Sequence, residues 1–198
     1  MAASHRLSLA TLFLLMSASG DAIPAFAQTT AADQVARAVL AAPESLRDGA
    51  TVLGYGGEPR EGDPLTTLRE GDNGIICLAD DPADDRFHVA CYHESMDEYM
   101  ALGRRLEAAG EGRDAILSAR QSAIDAGELE PPSAALWSLT VEADVEPEAG
   151  IPSDARRLSV IYVPYAGAAD LGLPTRPDGD SPWLMLPGTP WAHVMISR

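Results

Sequence analysis

The apolar residues of "AADQVARAVLAAP" (31–43) include Val35, Val39 and Leu40, spaced as one face of a helix that Pro43 ends. "GATVLGY" has the pattern of a strand, and "GGEPREGDP" after it is loop chemistry. "GYGG" (54–57) reads as a turn and not as a phosphate loop, because no helix follows it. "LTTLREGDNGIICLA" predicts two short strands around a turn at Asn73-Gly74, residues that accept positive φ. The acidic loop "DDPADD" then leads into the strand "RFHVACY".

Two helices follow. In "SMDEYMALGRRLEAAG", Met96, Tyr99, Met100 and Leu106 make an apolar stripe. Ser95 and Glu98 fit a capping box there, and Gly110 a C-terminal stop. In "RDAILSARQSAIDAG", Ile116, Leu117 and Ile124 point inward and Gly127 ends the helix. After the break "ELEPPS" the pattern is rich in strands: "ALWSLTVEA", "LSVIYVP", "PWLMLP" and "WAHVMI". "EADVEPEAGIPSDARR" reads as a polar surface loop between them. Strands and helices do not alternate. The expected fold is therefore α+β: a single domain with a mostly antiparallel sheet, helices packed on one face, and one disulfide.

The N-terminus adds a destination. "MAASHR" carries Arg6, "LSLATLFLLM" is a short apolar run, and Ala25 and Ala27 occupy an A-x-A site. Residues 1–27 are expected to be a cleaved signal peptide, leaving 28–198 as the domain. A run of that length is too short to span a membrane core of about 30 Å. No later stretch is long and apolar enough to cross one, so periplasm or the extracellular medium is the expected location. In such a compartment Cys77 and Cys91, the two cysteines of the chain, are expected to pair.

Composition narrows the function. Hydrophobic residues at 46% and charged residues at 22% suit one packed domain. The 30 acidic residues outweigh 14 basic ones, a net charge of −16, which disfavours nucleic acid as a partner. All the basic residues are Arg, so Schiff-base chemistry through Lys is excluded.

"LREGDNGIICLADD", "VACYHES", "LSVIYVPYAGAADLGLP" and the closing "GLPTRPDGDSPWLMLPGTPWAHVMI" together resemble a family of small secreted bacterial proteins of unknown function. The resemblance spans roughly Val39 to Ile196. It implies an exported domain with a cysteine pair and an Asn-Gly turn, and carries no mechanism. The chain departs from the pattern at Ile75 and Ile76, where many relatives carry an aromatic residue or Leu.

Candidate chemistry is sparse. Cys77, His88, Cys91 and His93 are all zinc-ligand types, but their spacing is poor and His88 falls on the opposite strand face from Cys91. No metal and no cofactor is expected. "HESMD" has Asp97 where a zincin needs its second His, and no G-x-S-x-G elbow is present. The carboxylates of "DDPADD" and "DGD" do not match a calcium-loop spacing and read as solvated loops. Trp137, Trp183 and Trp191 could stack on a flat ligand, though their spacing does not place them together.

Pro187-Gly188 suits the centre of a type II turn joining "PWLML" to "WAHVMI" as neighbours. In the second, Trp191, His193 and Met195 share one face of a central strand. Burial there would lower the pKa of His193. His193, Trp191 and His88 are the candidate ligand-binding residues. The favoured function is a non-catalytic exported module that binds a small ligand, an envelope component or a protein. The alternative is a hydrolase-type enzyme using His193 or His88 with a carboxylate for general acid–base work. Mass analysis of the exported protein is expected to find Gln28 as its first residue; an intact Met1 would refute the signal assignment.

Overall fold

A computed structural model describes residues 30–142, 145 and 150–197; the expected signal peptide and part of the polar loop after Val141 lie outside these. Helix α1 (Ala31–Ala38) starts from a capping box in which Thr30 and Asp33 exchange hydrogen bonds. It tightens into a 3₁₀ turn (Val39–Ala41), and the single turn α2 (Glu44–Arg47) follows Pro43. Next come β1 (Thr51–Gly54), β2 (Thr66–Arg69), β3 (Ile75–Leu78) and β4 (Phe87–His93). The long helices α3 (Asp97–Ala108) and α4 (Arg113–Asp125) lead to β5 (Ala135–Val141) and β6 (Arg156–Tyr162). Short α5 (Ala168–Leu171), β7 (Trp183–Met185) and β8 (His193–Ser197) complete the described chain.

All these strands join one sheet, in the order β2-β1-β3-β4-β5-β6-β8-β7. The β1–β3 pair is parallel and the rest are antiparallel. The architecture is the expected α+β domain with a mostly antiparallel sheet. Cys77 lies opposite Cys91 in the β3–β4 register, and the two are joined by a disulfide.

Alternation along the strands sorts the core into two layers. Val52, Ile75, Cys77 and Cys91 face one way, against Ala38, Val39 and Ala42. Leu53, Ile76 and Tyr92 face the other way, against Met96 just before α3 and Met100 in its first turn. The helical layer expected on one face is thus α3 with α4, and the N-terminal helix covers the opposite face. Placing α1 there needs long-range pairing information, because its apolar stripe is compatible with either side.

Two local expectations differ from the structure. β2 and β3 form as predicted, but they do not pair as a hairpin, because β1 lies between them. The crossing segment is held against the start of β1: the Asp72 and Asn73 amides both donate to the Gly49 carbonyl. A β-carbon on Gly71 would collide with the backbone of Gly49 and Thr51. The Asn73 side chain accepts from the Ile75 amide and donates to the Leu46 carbonyl, so the Asn-Gly signal marks a crossover turn. The capping box at Ser95 and Glu98 is also absent. α3 begins one residue after a 3₁₀ turn (Glu94–Met96), and His93 caps that turn by accepting from the Ser95 amide.

The disulfide spans 14 residues and lies in the fully buried layer under α1. Replacing both cysteines by Ala is expected to cost about 3 kcal/mol in a denaturant titration under non-reducing conditions, with no change in the far-UV spectrum.

Candidate functional site

A cavity of about 600 Å³ lies between α3, α4 and the sheet at β6 and β8. α3 and α4 form a hairpin whose turn is closed at Gly110, with φ of 86°, and by the Glu111 amide donating to the Leu106 carbonyl. The two helices are held together by an arginine. Arg120 on α4 donates from Nε and Nη2 to the Tyr99 carbonyl, at 3.1 and 2.9 Å, and its guanidinium lies 3.9 Å over the Tyr99 ring. Gly103, buried on α3, makes this contact possible, because any β-carbon there would collide with the Arg120 guanidinium.

The rings continue towards the sheet. Tyr99 meets Tyr162 edge-on, with centroids 6.4 Å apart and planes at 63°. Tyr162, on β6, is directly opposite His193 on β8, with ring centroids 5.1 Å apart. Burial raises the Tyr162 phenol to about 12, so it is a hydrogen-bond donor at neutral pH.

His193 is half-buried in this wall, and its Nδ1 lies 2.8 Å from the Trp191 carbonyl. A carbonyl only accepts, so Nδ1 carries the proton and Nε2 keeps its lone pair. Burial lowers its pKa below the usual imidazole value, outweighing the bond to the Trp191 carbonyl, which raises it, and the cation of Arg113 lowers it further. The face that bears His193 is therefore the one covered by the two helices. Trp191 is 9% exposed and packs on Tyr99 and Leu129, in the turn before β8 and outside the strand proper.

The other candidates lie apart. His88 lines a second cavity of about 460 Å³ with Tyr55, Asp81 and Asp84. Its backbone amide donates to Asp80 Oδ1 at 2.7 Å. Partial shielding of the ring lowers its pKa, against the pull of Asp80 and Asp84. Trp137 faces the α1 side of the sheet; Trp183 on β7 pairs with Met195 and so lies on the His193 face, but it does not line this cavity. Cys77 and Cys91 are spent in the disulfide, and among the described residues no group of three His, Cys, Asp or Glu could hold a metal ion.

Sequence reasoning missed Tyr99, Tyr162 and Arg120 as cavity residues. One signal was present: Gly103 sits mid-helix, where Gly costs roughly 1 kcal/mol relative to Ala, and so marks a close approach.

It also missed a buried charge network. Arg104 of α3 pairs with Asp63 through Nε and Nη2, with Asp97 through Nη2 at 3.1 Å, and donates to the Tyr92 hydroxyl at 2.8 Å. That hydroxyl donates in turn to Asp97, and Arg60 reaches Asp97 at 3.0 Å. The network ties the loop after β1 to β4 and α3, and Arg104 separates the two cavities. Burial pushes the Asp97 carboxyl up, but its bonds to Tyr92, Arg60 and Arg104 outweigh this and hold it below the usual range.

Asp63→Ala leaves Arg104 buried without its bidentate partner and is expected to cost about 3–5 kcal/mol in urea unfolding. Stability should fall in two steps as pH drops. Unfolded histidines bind protons near pH 6.5 before folded His88 and His193 do, so stability begins to fall there. Asp97 adds a second loss below about pH 4, as acid protonates a carboxylate that the folded state holds charged. NMR titration of His193 with a midpoint at or above 6.5 would refute the first step.

The chain matches no family model, no curated protein and no solved structure.

Proposed function

We propose that residues 28–198 form an exported module that binds a small ligand, without catalysis, in the cavity beneath α3 and α4. The state of His193 carries this reading. Its Nδ1 is committed to a backbone carbonyl, and the charged group acting on it is Arg113 and not a carboxylate. A general base is oriented and made more basic by a neighbouring acid; here the environment depresses basicity. Two tyrosines, Trp191 and His193 around a concave space of this size are the lining of a ligand pocket. The Cys77–Cys91 bond supports export to the periplasm or the medium. No helix among the described residues is long and apolar enough to cross a membrane.

A second reading rests on His88. Shielding lowers the pKa of its imidazole beside a cavity, with Asp80 and Asp84 near enough to oppose that shift, and a hydrolase-type enzyme would use a His with such carboxylate neighbours.

A thermal-shift screen of the mature oxidised protein against metals, sugars, peptides and small aromatic compounds tests both. A ligand at a hundredfold its Kd should raise the melting temperature by about 5–10 °C. That shift should disappear in His193→Ala while His88→Ala keeps it. No shift from any compound would overturn the binding reading. Ester or amide turnover abolished by His88→Ala would establish the second.

A further inference from the structure

We propose that the cavity beneath α3 and α4 takes a planar ring that carries a carboxylate. The inference rests on the reading of this cavity as the ligand site and adds the ligand's chemistry.

The first part of the argument is shape. Tyr99, Tyr162, Trp191 and His193 present flat faces or edges to one space, at angles that an inserted ring can complete by edge-to-face or offset contact. The second is charge. Arg120 spends two N–H groups on the Tyr99 carbonyl, and a guanidinium carries five. Arg120 also bonds the Tyr99 side chain, and its guanidinium, immobilised by Gly103 and the Tyr99 ring, lines the cavity as a fixed cation, the charge that suits a carboxylate. Arg113 adds a second cation on the same wall. The third is the lone pair on His193 Nε2, an acceptor for a ring hydroxyl.

Opposing charges are present and are weaker. Glu107, Glu111 and Arg113 all border the cavity at exposed positions and are screened by water alike, whereas Arg120 is half-buried and sets the sign of the charge inside. The net charge of −16 acts over distances longer than the Debye length of about 8 Å at physiological salt, so the local guanidinium field decides the preference inside the cavity.

Three probes of near-equal shape test the proposal by calorimetry on the mature oxidised chain. They are 4-hydroxyphenylacetate, 2-(4-hydroxyphenyl)ethanol and tyramine: anion, neutral molecule and cation. The anion is expected to bind about tenfold tighter than the alcohol, the size of one charge-assisted hydrogen bond, and the cation weakest. Arg113→Gln, at an exposed position, should weaken the anion several-fold and leave the alcohol unchanged. Gly103→Ala, which displaces Arg120, should weaken it further. Alcohol or amine binding as tightly as the anion would overturn the charge preference and leave the cavity as the ligand site. Anion binding that both variants leave unchanged would overturn the location. No binding of any probe would overturn the ring class, while the His193→Ala comparison in the wider screen still decides whether the cavity binds ligands.

Discussion

The guanidinium of Arg104 is the constraint on which the helical layer depends. It is nearly enclosed, and it holds Asp63, Asp97 and the Tyr92 hydroxyl at once. Burying such a charge is costly unless every partner is in place, so the group tolerates one arrangement of the loop after β1, of β4 and of α3. Apolar packing alone would let α3 slide along the sheet face. The ionic cluster removes that freedom at the middle of the helix, and Tyr92 carries the constraint into the central strands.

A second arginine extends the constraint to α4. Arg120 caps the Tyr99 carbonyl and stacks on its ring, while Leu117, Ala123 and Ile124 pack only partly buried against the Tyr99–Leu129–Trp191 cluster, so α4 is tied chiefly to α3. No residue of α4 is fully buried. That explains why a cavity survives here: α4 stands off the sheet, and the gap beneath it is walled by rings and floored by β6 and β8. The space is thus a consequence of how the helix hairpin is anchored. Its aromatic and cationic character follows from the same residues that do the anchoring.

Much of the local structure was legible. The helix stripes, the strand patterns, the stops at Gly110 and Gly127 and the cysteine pair all reflect short-range chemistry. The turn at Gly188, with positive φ, joins β7 to β8 as the Pro-Gly signal implies. Where the reading failed, the decisive partner was distant. Asn73-Gly74 signals a turn in either a hairpin or a crossover, and only the insertion of β1 between β2 and β3 selects the crossover. Ser95 and Glu98 satisfy a capping pattern, but the chain leaving β4 enters a 3₁₀ turn first and His93 takes the cap. His193, a candidate ligand-binding residue on the sequence pattern, is half-buried with its Nδ1 against the Trp191 carbonyl, a contact that no local pattern announces.

The order of residues settles element type, the Cys77–Cys91 pairing partners and the acidic surface, because each depends on neighbours in the chain or on composition. It also marks Gly103 as a place where something must approach closely. It does not say what approaches. Arg120 is separated from Gly103 by a turn and a reversal of direction, and Asp63 is 41 residues from Arg104. Which face of the sheet α1 covers, which guanidinium is buried, and whether His193 meets a cation or a carboxylate are decided by tertiary packing. Each depends on contacts between side chains far apart in the sequence, which only the assembled sheet and helices bring within reach.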